Sequence, residues 1–386
     1  MDGGATEDFT RLFDGLLGPA PGSAAPARAR PGASPYADLP PTRFWRTGVA
    51  ESHPLTVQGL YAKRFDIGPE DRIATAGSCF AQHIATHLRA RGFSVLDVEP
   101  TPRGLEAVAK DFGYGIYSAR YGNLYTARQL LELFREAMAE NPPPAIVWEK
   151  DGRFYDALRP GVEPRGLSCP EEVVEHRRIH LAAARRLFER AQVFVFTFGL
   201  TESWRDVATG RTLPTCPGTI AGTFDPAAHV FHNFTVAETL EDYRAFRAEL
   251  AAINPGVRHL VTVSPVPLTA TAADQHVLLA TTYSKSALRA AAGQLAAECP
   301  DVDYFPSYEI ITAPWSRGFF FEPNLRSVSP AGVEAVMRVF FAAHALAPKT
   351  AAPAGQAAGA KGKGKGAAAR AQDAVCEEIL LEAFAR

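Results

Sequence analysis

Residues with chemical capacity gather in a few short segments. Gly77-Ser78-Cys79-Phe80-Ala81-Gln82-His83-Ile84 sets two nucleophile-type side chains directly after a glycine. If a strand ends at Gly77 and a helix begins just beyond it, the turn exposes a side chain and the helix N-terminus lowers a thiol pKa, both useful to a nucleophile. Thr197-Phe198-Gly199-Leu200-Thr201-Glu202-Ser203-Trp204 joins a glycine, small hydroxyls, a carboxylate and a tryptophan, a set that can supply oxyanion donors or orient a substrate. Thr262-Val263-Ser264-Pro265-Val266-Pro267-Leu268 leads on to Asp274-Gln275-His276 and Tyr283-Ser284-Lys285-Ser286, and Tyr304-Phe305-Pro306-Ser307-Tyr308-Glu309 closes the series. Taken singly, each segment has a plain reading as a turn or a proline-bounded strand end. Their weight comes from recurring at the ends of successive predicted strands.

Those strands are short apolar runs at 72–76, 94–98, 193–197, 259–263 and 302–305, alternating with helical patterns at about 80–91, 126–140, 171–190, 236–252, 277–298 and 330–345. Alternation of this kind predicts a mostly parallel sheet with helices on its faces. The unbroken apolar run Val193 to Phe198 predicts a strand buried on both sides. The expected fold is therefore a three-layer α/β/α sandwich over residues 43–346. Open sheets of this class bind ligands beyond the carboxyl ends of their strands, where loops meet helix N-termini. The chemical segments lie at those junctions.

Flanking the sandwich are segments with a different composition. Residues 1–42 are rich in Pro, Gly and Ala and read as a leader without a core, with one short amphipathic pattern at Phe9, Leu12, Phe13 and Leu16. Residues 347–373 form an Ala/Gly/Lys tract whose Lys349, Lys361, Lys363, Lys365 and Arg370 precede its first acid, Asp373, a basic linker that would suit an acidic partner. Residues 374–386 place Val375, Ile379, Leu380 and Phe384 on one side of a short helix.

Composition narrows the function classes. The chain of 386 residues is 47% hydrophobic and 21% charged with a net charge of −2, which gives no reason to expect nucleic acid or a general membrane surface as partner. The 5 cysteines are odd in number, widely spaced and without a Cys-x-x-Cys pair, so they are expected to be thiols and not a disulfide frame or a zinc site. The acidic start lacks a basic n-region and an apolar h-region, and no apolar stretch has transmembrane length, which together predict a cytoplasmic protein. Neither a phosphate-binding glycine loop nor a metal cluster stands out, and no cofactor is expected.

The motif Gly77-Ser78-Cys79-Phe80-Ala81 resembles the pentapeptide that names the GSCFA family, which is in turn similar to SGNH/GDSL-like hydrolases. Further segments look like family segments: Arg120 to Thr126, Asp156 to Pro160, Phe198 to Trp204, Phe231-His232-Asn233-Phe234, Ser264 to Leu268, Tyr283 to Ser286 and Phe305 to Glu309. The resemblance spans about residues 50–342 and implies acyl-ester chemistry on a flavodoxin-like fold. It implies a nucleophile after the first strand, where spacing from Gly77 selects Cys79 and residue type selects Ser78. By the same resemblance Gly122, Asn123, Gly199 and Thr201 are oxyanion candidates, and Glu202 stands where the superfamily has an asparagine, suited to orienting a donor or binding substrate.

One element of that superfamily is missing. No Asp-x-x-His occurs in the chain, and the corresponding stretch, Glu322 to Ser329, holds no histidine. The histidines in loops at the expected active edge are His276, near Asp274, and His232, beside Asn233. Arg159 and Arg326 are candidates for an anionic substrate, with a solvated surface role as the plain alternative. The expected function is an acyl-ester hydrolase or O-acyltransferase on a small-molecule or carbohydrate ester. The alternative is a carbohydrate-binding or scaffold protein that kept the fold without the base.

Overall fold

The computed structural model describes residues 34–56, 58–344 and 377–384. The expected helix around Phe9 to Leu16 and the basic tract at 347–373 lie outside the described residues. Of the short C-terminal helix, Glu377–Phe384 is described, as a 3-10 helix.

In chain order the elements begin with β1 (Ile73–Gly77), α1 (Phe80–Ala90), α2 (Ala127–Met138), β2 (Val147–Lys150), β3 (Arg153–Asp156), α3 (Pro170–Arg190) and β4 (Val193–Phe198). They continue with β5 (Glu202–Asp206), β6 (Thr212–Leu213), β7 (His229–Asn233), α4 (Val236–Ile253) and β8 (Arg258–Val263). The last are α5 (Val277–Glu298), β9 (Val302–Tyr304), α6 (Ser307–Thr312) and α7 (Pro330–Ala343). Helix starts follow side-chain chemistry: Thr126 with Gln129 and Thr235 with Glu238 form capping boxes, satisfying backbone N–H groups that have no partner within the helix.

The central sheet is parallel, in the order β1-β4-β8-β9. Both faces of β4 are buried. Phe194, Phe196 and Phe198 pack among side chains of α2, α3, α4 and α5, while Val193 and Val195 face α1 and α7. This makes a three-layer α/β/α sandwich. A strand at 94–98 does not extend the sheet: Val95 makes a single parallel bridge to Ile73. The Leu96 N–H still donates to the Ile73 carbonyl, but the Val98 N–H has turned to the Ser118 carbonyl, so the segment leaves β1 after one residue.

Two small sheets were not expected. β2 and β3 pair as an antiparallel hairpin through Asp151-Gly152, both at positive φ, and β6-β5-β7 forms a second antiparallel sheet. Trp148, Tyr155, Leu213 and Ala221 join the two in a satellite core. Since β5 starts four residues after β4 ends, this accessory layer grows directly from the carboxyl edge of the main sheet. Among the described residues no helix is long and apolar enough to cross a membrane.

Candidate active site at the carboxyl edge

Register brings the chemical segments level. Gly77 pairs with Thr197, and Thr197 with Thr262. Just beyond, the Ser78 N–H donates to the Thr197 carbonyl at 3.1 Å and the Ser264 N–H to the Phe198 carbonyl at 2.8 Å. Ser78, Gly199 and Ser264 therefore follow the ends of three adjacent strands.

Gly77 makes the turn possible. Its φ is +133°, and a Cβ there would collide with the Thr197 oxygen and lie 2.7 Å from the Thr197 nitrogen, so only glycine fits. Cys79 follows in helical conformation as the N-cap of α1 and is buried. Ser78 is 2% exposed, and its buried Oγ has no hydrogen-bond partner among the described residues. Thr197 Oγ1 is likewise buried and unpartnered among the described residues. Natural folds rarely leave such hydroxyls unsatisfied without a functional or solvent explanation.

Around Ser78 the loops are closely tied. A Cβ added to Gly199 would stand 2.9 Å from both Ser78 Cβ and Tyr125 Cδ1. The Gly199 N–H donates to the Tyr125 carbonyl at 2.9 Å, so in this conformation it is spent within the scaffold. The Leu124 N–H donates to the Gly77 carbonyl at 2.9 Å, docking the Gly122-Asn123 turn, with Gly122 at φ +71°, on the end of β1. The Tyr117 hydroxyl lies 2.5 Å from Asn123 Oδ1 and 3.0 Å from the Ser78 carbonyl oxygen, and Gln82 Nε2 donates to both Tyr117 and Asn123. With Oδ1 held from two sides, Nδ2 is the donating end of the Asn123 amide. Thr201 is held by Ser284 Oγ, which accepts from its N–H at 2.9 Å, and by Asn233 Oδ1, which accepts from its hydroxyl at 2.6 Å. The Thr271 hydroxyl donates to Glu202 Oε1 at 2.6 Å, while burial raises the Glu202 carboxyl above its ordinary pKa.

The two histidines expected in loops are committed elsewhere, and one of them, His232, lies in a strand. His276 is exposed and caps α5, its Nδ1 accepting from the Leu278 N–H at 3.1 Å. His232 lies on β7 with Nε2 2.8 Å from Glu238 Oε1. Neither of these bonds runs to the Gly77 turn. Arg159 is neither an anion site nor a surface arginine. It is 3% exposed and donates to Asp156 Oδ2 at 2.8 Å, in a buried charge network with Arg177 and Glu136. Arg326 is also buried, within the 322–327 turn that Asn324 Oδ1 organises by accepting from the N–H groups of Arg326 and Ser327.

Three residues at this edge were given no role from sequence: Tyr117, Tyr125 and Lys285. Lys285 had the clearest signal. It falls in the buried stripe of α5 with Leu288 and Ala292, where a lysine is out of place. A cleft of about 310 Å³ elsewhere, lined by residues including Glu99, Tyr114, Arg120 and His176, contains neither Ser78 nor Cys79. Among the described residues no cluster of three or more His, Cys, Asp or Glu is placed to hold a metal ion.

The family model of the GSCFA family matches residues 72–340, from the first residue before β1 to within α7. The chain belongs to the GSCFA family. The match takes in the whole central sheet, the Gly77 turn and the accessory layer. No curated protein and no solved structure matches the chain.

Proposed function

We propose that this GSCFA protein is an acyl-ester hydrolase or O-acyltransferase of SGNH-like chemistry, acting through a covalent acyl-enzyme on Ser78, with Cys79 as the neighbouring alternative. One observation carries the reading: Ser78 Oγ is buried and, among the described residues, unpartnered, on a turn that only glycine can make and directly against Gly199. Attack on an ester carbonyl needs such a placed hydroxyl, a base and donors for the developing oxyanion. Asn123 supports the donor role through an amide whose oxygen is already held. An acylated carbohydrate suits a site rimmed by hydroxyls, Glu202 and Asn233 at the end of β7, and water or a sugar hydroxyl as acceptor separates hydrolase from transferase.

A second reading, a binding module on this fold, is favoured by the commitment of His276 to the α5 cap and of His232 to Glu238. Turnover of 4-nitrophenyl acyl esters and acetylated sugars separates the two. Activity lost in Ser78→Ala but kept in Cys79→Ala supports the enzyme with serine as nucleophile. Activity absent from the wild type, with sugar binding unaffected by either change, supports the binder.

A further inference from the structure

We propose that Lys285 is the proton acceptor for Ser78, filling the role that a histidine has in the superfamily. The proposal rests on the acyl-enzyme reading above. Lys285 is 3% exposed in the interior of α5, and its Nζ donates to the Gly199 carbonyl oxygen at 2.5 Å. Gly199 is the residue whose added Cβ would lie 2.9 Å from Ser78 Cβ. Lysine nitrogen and serine side chain thus converge on one glycine at the ends of β1 and β4. Ser284, the neighbour of Lys285, holds the next part of the same loop through the Thr201 N–H, so α5 fixes the Gly199–Thr201 segment at two points.

The chemistry fits the residue types. Among the described residues Ser78 Oγ has no acceptor for its proton, and a lysine withdrawn from water can present the neutral amine that serves as a base. Ser-Lys pairs are a known variant of the serine triad. The transfer needs the two side-chain ends to turn toward one another across Gly199, which catalytic groups commonly do when substrate binds. As Ser78 Oγ bonds to the ester carbonyl carbon, its proton passes to Nζ and the carbonyl π pair moves onto oxygen. Collapse re-forms the carbonyl, breaks the bond to the alkoxy oxygen and returns the Nζ proton to the departing alcohol. Water or an acceptor hydroxyl then repeats the sequence on the acyl-enzyme and restores Ser78 and the neutral amine.

The test is the rate at which a fluorophosphonate modifies Ser78, followed by mass spectrometry between pH 6 and 10, in the wild type, Lys285→Met, Lys285→Arg and Lys285→Ala with added methylamine. Circular dichroism checks that each variant is folded. In the wild type the rate should rise with pH along one ionisation. Met and Arg should each lower it by about 100-fold or more and remove that ionisation, since arginine keeps charge and reach but accepts no proton. Methylamine should restore the Ala variant in proportion to its concentration. Arg provides the comparison if Met does not fold. Labelling at the wild-type rate and pH profile in Lys285→Arg or Lys285→Met overturns the base and leaves the acyl-enzyme standing. Absence of labelling in the wild type overturns both.

Discussion

Ser78 and Gly199 touch across the end of the sheet: a single carbon added to Gly199 would stand 2.9 Å from Ser78 Cβ. The contact explains why a glycine follows β4 at this point. It also makes Gly199 a way to disturb Ser78 from the facing strand. Gly199→Ala is expected to cost about 1–3 kcal/mol through overpacking against Ser78 and Tyr125. Modification of Ser78 should slow well beyond what that loss of stability explains. Thermal melting and labelling rate, measured on the same preparation, check both parts.

Asn123 tests the oxyanion assignment. Its Oδ1 is occupied by Tyr117 and Gln82, so the amide is oriented before substrate arrives. Asn123→Ala should lower kcat about 100- to 1000-fold, the usual effect of losing one oxyanion donor. KM should change little. A variant that raises KM alone would make Asn123 a substrate contact and not an oxyanion donor.

The buried charge network around Arg177 should govern stability and not chemistry. Arg177 donates to Glu136 at 2.6 Å and lies 3.6 Å from Asp156. Burial alone would raise the Asp156 carboxyl, but the Arg177 and Arg159 guanidiniums hold it below its ordinary pKa. Arg177→Met leaves Asp156 and Glu136 without that cation and should cost about 3–5 kcal/mol. Denaturant midpoints measure it. Esterase activity per folded molecule should be unchanged.

Acid should weaken the fold before most carboxylates titrate. Burial, with the Arg159 cation adding to it, lowers His180 to about 4 despite its 2.8 Å bond to Glu99. Burial likewise lowers His259, bonded to the Tyr243 hydroxyl, to about 4. Both folded values lie below the ordinary 6.5, so the unfolded chain binds more protons in between. The stabilisation is complete above about 6.5 and is lost as pH falls toward 4. Moving from pH 7 to pH 5 should cost roughly 2 kcal/mol per histidine. Urea unfolding at the two pH values checks the loss, and equal midpoints would contradict it.

The sandwich was legible where hydrophobic pattern and caps agreed. Val193 to Phe198 is apolar throughout and is buried on both sides, and Thr126 and Thr235 mark helix starts to within a residue. The β2–β3 hairpin had a local signal too, since Asp-Gly between Lys150 and Arg153 favours a two-residue turn with positive φ. The apolar run at 94–98 misled because pattern alone does not say where hydrogen bonds go; after Leu96 they pass to the Ser118 loop. At the site, sequence named the Gly77 turn and the Gly199 loop. It did not show their contact, which depends on the β1–β4 register, or the approach of Lys285, which depends on how α5 packs over the sheet.

The most direct measurement is peptide mass spectrometry after brief treatment with a fluorophosphonate and, separately, with iodoacetamide, on folded and denatured wild-type chain. Rapid phosphonylation of Ser78 that vanishes on denaturation is the expected result. Iodoacetamide modification of Cys79 faster in the folded than the denatured chain would move the nucleophile by one residue. If neither residue reacts faster when folded, the covalent mechanism is contradicted and the site is one for binding alone.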